Sequence, residues 1–151
     1  MQIIIVSDNH GHDVPLKQIK ANYPNVRAIL HCGDSEQNLD KLDGFYNVRG
    51  NNDFADLPQH LVVDIDGLRI FMTHGHRLFS LTKNDQLAHL AKKNNCQIAC
   101  CGHTHVFDHR IVDQINIINP GSLWHSRDGG RPSYAVVDID NGQINVIKVE
   151  I

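Results

Sequence analysis

Carboxylates, imidazoles and amides cluster at five places in this chain: Asp8-Asn9-His10, Gly33-Asp34, Gly50-Asn51-Asn52-Asp53, His74-Gly75-His76 and Gly102-His103-Thr104-His105. Side chains of these types hold divalent metals or move protons, and imidazole is the group whose ordinary pKa lies nearest neutrality. The chain carries eleven histidines although only 6% of its residues are Phe, Trp or Tyr. Such an excess asks for metal or proton chemistry. Taken singly, Asp8 or Asp34 is more often a helix cap or turn former than a ligand, so the weight rests on the set.

The elements that must position the set are legible from apolar runs. Ile3-Ile4-Ile5-Val6 is β-branched without polar alternation and reads as a strand buried on both faces, the kind found in parallel sheets covered by helices. In open α/β sheets, ligands sit beyond the carboxyl ends of the strands, which is where Asp8 and His10 fall. Asp13 and Pro15 then predict a helix start, with Leu16, Ile19 and Tyr23 on one face. Ala28-Ile29-Leu30 is a second buried strand ending at Gly33-Asp34. A weaker helix with Leu39 and Leu42 inward leads to a strand over Phe45 to Val48, and that strand runs into Gly50. This β-α-β-α-β order predicts a parallel sheet.

Asp66-Gly67 between Leu61 to Ile65 and Leu68 to Thr73 is a hairpin signal, and its second arm delivers His74 and His76. Asn84 is the expected cap of a helix burying Leu87, Leu90 and Ala91. Ile98 to Cys101 is another buried strand, ending at Gly102. The remainder reads as antiparallel: Arg110 to Val112, Ile115 to Ile118, the turn Asn119-Pro120-Gly121-Ser122, and a hairpin on Asn141-Gly142. Trp124 to Pro132 is the most irregular stretch.

With 151 residues the chain is expected to form one domain over 1–151. A formal charge of -3 argues against a broad nucleic-acid-binding surface, though not against a small phosphorylated ligand. Cys32, Cys96, Cys100 and Cys101 lack zinc-ribbon spacing and read as buried reduced thiols. No run approaches the roughly 18 apolar residues of a membrane span, so the expected location is the cytoplasm.

The order Asp-x-His, Gly-Asp, Gly-Asn-x-Asp, His, Gly-His-x-His resembles the calcineurin-like metallophosphoesterase superfamily. The short length and the Asn119-Pro120-Gly121-Ser122 turn are similar to its YfcE-type branch. The resemblance implies an α/β fold, a four-layer α/β/β/α sandwich of two mixed β-sheets flanked by helices, with two divalent metal ions per chain. Carried over by residue, Asp8, His10, Asp34 and His105 hold the first ion and Asp34, Asn51, His74 and His103 the second, Asp34 bridging. Manganese is the favoured ion, with Fe, Zn, Ni, Co and Mg also compatible with such donors. The implied reaction is hydrolysis of a small phosphoester, a diester in preference to a monoester, by a hydroxide bridging the metals.

His10 and Asn52 are the catalytic candidates; Asp53, His12 and His76 are expected just behind the ligands. Many members of the superfamily carry histidine where this chain has Asn52, and asparagine cannot give a proton to a leaving alkoxide at neutral pH. The resemblance is also compatible with a homo-oligomer. The alternative function is a non-catalytic metal-binding interaction scaffold of the Vps29 type. Glu36 is expected to be solvated, His31 to be buried or to bond a ligand from behind, and Trp124, Arg127 and Arg131 to lie in a solvated loop.

Overall fold

The computed structural model describes residues 1–151. In chain order the strands and helices are β1 (Gln2–Val6), α1 (Val14–Asn22), β2 (Ala28–His31), β3 (Tyr46–Asn47), β4 (His60–Ile65), β5 (Leu68–Thr73), α2 (Lys83–Lys93), β6 (Ile98–Cys100), β7 (Phe107–Val112), β8 (Ile115–Pro120), β9 (Ser133–Asp140) and β10 (Gln143–Glu150). They form two five-stranded sheets ordered β10-β9-β1-β2-β3 and β4-β5-β6-β8-β7. Strands β1, β2 and β3 run parallel, as do β5, β6 and β8, whereas β4, β7, β9 and β10 pair antiparallel. Both sheets are therefore mixed.

The two-residue side-chain period of a strand explains the layers. Ile3 and Ile5 point between the sheets and meet Ile70, Met72, Ile98, Cys100 and Ile118. Ile4 and Val6 point the opposite way, onto Leu16 and Ile19 of α1. On the far sheet Phe71 and Ala99 face outward onto Leu87, Ala88 and Ala91 of α2. The result is the expected α/β/β/α sandwich. Full burial of one such isoleucine is worth about 2–3 kcal/mol, so the run opening the chain anchors two layers at once. The four cysteines are free and buried; burial raises the Cys101 thiol to about 12, which keeps it protonated. No helix is long and apolar enough to cross a membrane.

Four local expectations are corrected. Asp13 precedes α1 but makes no capping bond, because its own backbone is already helical; its carboxylate instead accepts from Lys17 at 2.8 Å. The weak helix is a single 3₁₀ turn over Leu39–Leu42 that buries Leu42 and leaves Leu39 exposed. The following strand shortens to Tyr46–Asn47 because it lies at the sheet edge and pairs only with β2. Helix α2 starts at Lys83, so Asn84 sits inside its first turn rather than capping it.

Candidate metal centre

The loops after β1, β2, β3, β5 and β6 meet at one edge of the sandwich, in backbone conformations that L-residues seldom adopt. Asp8 (φ +56°), His10 (φ +45°), Asp34 (φ +55°), Glu36 (φ +51°), His103 (φ +72°) and His105 (φ +60°) are all left-handed. Each costs about 1–2 kcal/mol, and such strain persists only where surrounding structure enforces it. Here the loops zip together: the amides of Asp8, His10 and Gly11 donate to the carbonyls of Gly33, Asp34 and Ser35 at 3.0, 3.0 and 2.8 Å. Asp53 clamps the next pair, accepting from the amides of Asp34 (2.9 Å), Gly50 (2.7 Å) and Glu36 (2.8 Å). The Asn119 to Ser122 turn closes the other side. Asn119 Nδ2 donates to the Gly102 carbonyl at 3.0 Å, and Ser122 Oγ donates to the Asp8 carbonyl at 2.7 Å.

Three imidazoles are oriented from behind. His105 Nδ1 donates to the His125 carbonyl at 3.0 Å and His74 Nδ1 to the Cys32 carbonyl at 2.8 Å. His10 Nδ1 lies 2.6 Å from Glu36 Oε1. With each Nδ1–H engaged by an oxygen, Nε2 is left as a lone-pair donor directed into the centre, the arrangement typical of metal-ligating histidines. The Nε2 atoms of His10 and His105 face each other at 3.1 Å, a repulsive contact unless a proton or cation lies between them. His105 Nε2 is 3.2 Å from Asp8 Oδ1, and His74 Nε2 is 3.3 Å from Asp34 Oδ2 and 3.1 Å from Asn51 Oδ1.

Charge points the same way. Asp8 and Asp34 are 0% and 2% exposed, and every cationic partner within ion-pair reach of either is a histidine. Burial pushes the Asp8 carboxyl up, but the nearby His10, His105 and His74 imidazoles outweigh it and hold it well below the usual range. For Asp34 burial is likewise outweighed, by His74 and by two bonds from Asn52, leaving it at about 2. With no cation between them, the neighbouring Asp8 carboxylate, reinforced by Glu36, favours a protonated His10 and lifts it to about 9. Two buried anions without lysine or arginine need positive charge from elsewhere. Asp8 Oδ1 is, moreover, buried with no hydrogen-bond partner. An unpaired carboxylate oxygen facing imidazole lone pairs fits a divalent cation, and two overlapping groups, Asp8-His10-His105 and Asp8-Asp34-His74, are spaced to hold one.

The structure thus brings Asp8, His10, Asp34, Asn51, His74 and His105 together. His103 stands beside them, its ring 5.1 Å from that of His74 and its backbone amide donating to Asp8 Oδ2 at 3.0 Å. The Asn52 side chain points at Asp34: its backbone and side-chain nitrogens donate to Asp34 Oδ1 and Oδ2, each at 2.9 Å. His12 stacks on Trp124 at 6.0 Å, and His76 lies 5.4 Å from the His74 ring.

Two expectations fail. Glu36 is not merely solvated: it braces His10. Its place two residues beyond Asp34 repeats the spacing of His10 after Asp8, and that repeat is the signal that marks it. Trp124 is half-exposed but packs edge-on against His10 at 5.3 Å, forming a wall of the centre. His31 is buried, with Gly33 N donating to its Nδ1 at 3.1 Å and its Nε2 donating to Asn9 at 2.7 Å; burial lowers it to about 4, so it stays neutral.

Comparison with known proteins agrees with this geometry. The chain is 31% identical over 150 residues to YsnB of Bacillus subtilis, described as a probable metallophosphoesterase, covering 97% of this chain and 89% of that protein. It is 28% identical to a phosphodiesterase of Methanocaldococcus jannaschii, covering 99% and 100%. A predicted phosphoesterase from Streptococcus pneumoniae superposes with a TM-score of 0.90 at 34% identity, over 99% of this chain and 88% of that one. Vps29 of Entamoeba histolytica shares the fold, with a TM-score of 0.75 at 22% identity over 100% and 99% of the two chains. Because residues 1–142 match the calcineurin-like phosphoesterase superfamily domain, as the order of its strand-end motifs implied, the chain belongs to that superfamily.

Proposed function

We propose that the protein is a phosphodiesterase working through two divalent ions, with Asp8, His10, Asp34 and His105 holding one and Asp34, Asn51, His74 and His103 the other. The carrying observation is the convergence of three braced Nε2 donors on two buried carboxylates, one oxygen of which has no partner. When bound, the ions supply a water acidified toward a pKa of about 7 and positive charge for the phosphoryl oxygens. The chain supplies orientation: Glu36, the Cys32 carbonyl and the His125 carbonyl hold the imidazoles, and Asn52 holds the carboxylate between the ions. The M. jannaschii phosphodiesterase supports a diester substrate. A complete donor set favours an enzyme over the Vps29-type scaffold.

Stripping the protein with EDTA is expected to abolish hydrolysis of bis-p-nitrophenyl phosphate, with manganese restoring it; hydrolysis that survives complete metal removal would refute the reading. Asn52 has no proton to give, and a general acid is worth about 10²-fold or more. Glycerol phosphate, an alkyl monoester, should therefore lag by at least about 10²-fold, and Asn52→His should narrow the gap. Equal rates on alkyl monoesters would count against the diester assignment.

The chain has one tryptophan, and it lies 5.3 Å from the ring of His10 and 6.4 Å from that of His105. Titrating nickel into the apoprotein is accordingly expected to quench its fluorescence saturably, and His105→Ala should remove the high-affinity phase. Unchanged emission with bound nickel would place the ion elsewhere.

A further inference from the structure

Beside the metal centre, a cavity of about 420 Å³ opens between β4, β5 and the last turn of α2. That volume suits a small organic ligand. The chain has 17 acidic residues, yet none lines this cavity, whereas Arg77 and Lys93 both do. Neither forms an ion pair, unlike the nearby Arg69 and Lys92, which reach Asp64 and Asp113 at 3.9 and 3.7 Å. Gln59 adds an uncommitted amide. The carbonyls at the helix end, which would repel an anion, are already bonded: that of Asn94 accepts from Arg69 Nη2 at 3.0 Å, and that of Leu90 from Asn94 Nδ2 at 2.8 Å.

His76 forms the wall shared with the metal centre. It lines the cavity while its ring stands 5.4 Å from that of His74 and 6.2 Å from that of His103, and its Nδ1 is buried without a partner.

We propose that this cavity is an anion subsite, in which Arg77 and Lys93 take a second, non-scissile phosphate carried on one arm of the phosphodiester. The inference rests on the phosphodiesterase reading and narrows it to substrates with two phosphates. Two cations free of internal partners can each form charge-assisted bonds to phosphate oxygens. Because the subsite touches the substrate away from the reacting bond, its contribution falls on KM.

The test uses the manganese-loaded full chain and two chromogenic diesters: the p-nitrophenyl ester of thymidine 5'-phosphate, and the same ester bearing a 3'-phosphate. The expected kcat/KM is about tenfold higher for the compound with the extra phosphate, through KM and weakened by salt. Arg77→Ala with Lys93→Ala should bring the ratio to about one, and Arg77→Lys with Lys93→Arg should retain most of it. A wild-type ratio near one, or a ratio unmoved by the double alanine variant, overturns the subsite. If neither ester is hydrolysed the phosphodiesterase reading fails instead, and calorimetry still decides the subsite. Thymidine 3',5'-bisphosphate must then bind about tenfold more tightly than thymidine 5'-phosphate to the wild type but not to the double alanine variant; equal affinities for the wild type overturn it.

Discussion

Asp34→Asn is expected to lower hydrolysis of bis-p-nitrophenyl phosphate by about 10³-fold and to lower the stability of the apoprotein as well. The substitution preserves shape. Its remaining oxygen can still accept from the Asn52 backbone amide, and rotation of the Asn52 side-chain amide can keep the second bond. What disappears is the negative charge placed 3.3 Å from His74 Nε2 and 3.9 Å from His10 Nε2, between the two proposed ion positions. Removing one partner of a buried charge arrangement costs about 3–5 kcal/mol, which at 1.36 kcal/mol per tenfold is roughly 10²- to 10⁴-fold. Without metal the charge still stabilises the fold at neutral pH, because His74 and the two Asn52 bonds hold Asp34 at about 2, below its ordinary value, so the neutral amide loses that contribution. The thermal shift produced by manganese, measured from the variant's own apo melting point, should shrink as well. Activity within tenfold of the wild type, with an intact manganese shift, would remove Asp34 from the bridging position.

How much of this could be read in the sequence follows from which forces act locally. The run Ile3 to Val6 announces a doubly buried strand because both of its faces are apolar, and its register onto Leu16 and Ile19 follows from the period of two. Asp66-Gly67 fixes its hairpin because both residues must adopt positive φ, which they do. The strand-end placement of Asp8, Asp34, His74 and His103 is legible for the same reason: apolar runs stop where polar loops start. The 3₁₀ turn at Leu39–Leu42 was not, since two leucines three apart suit one turn as well as a helix, and only the absence of a surface for Leu39 to cover decides. Glu36 and Trp124 are tertiary cases. Glu36 turns toward His10 because its own backbone is left-handed and its amide is held by Asp53, and the only local trace of that contact is its spacing after Asp34, which does not say what it touches.

The motif glycines show sequence and site meeting at atomic distance, and Gly102→Ala is expected to cost about 1–3 kcal/mol of stability and about 10²-fold in activity. A methyl group built on Gly102 would land on Ser7 Oγ and Asp8 Oδ2. Neither can retreat: Ser7 Oγ donates to Asp8 Oδ2 at 2.5 Å, the His103 amide donates to that same oxygen at 3.0 Å, and both residues are wholly buried. Overpacking of a filled core costs about 1–3 kcal/mol. The functional loss is larger than that strain because the atom that must move belongs to a proposed ligand, and a displacement near 1 Å at a reacting centre can cost about 10²-fold. Gly50 is constrained alike, its added methyl falling on Asp34 Oδ1. The glycine is therefore required by close approach rather than by the turn, since Gly102 itself is not among the positive-φ residues. Gly142→Ala gives the contrast: at φ +76° with nothing within 4 Å of the new methyl, it should cost only the backbone strain, about 1 kcal/mol, and leave manganese affinity unchanged. Equal losses of manganese affinity in the two variants, measured by calorimetry, would show that steric pressure on Asp8 is not the cause.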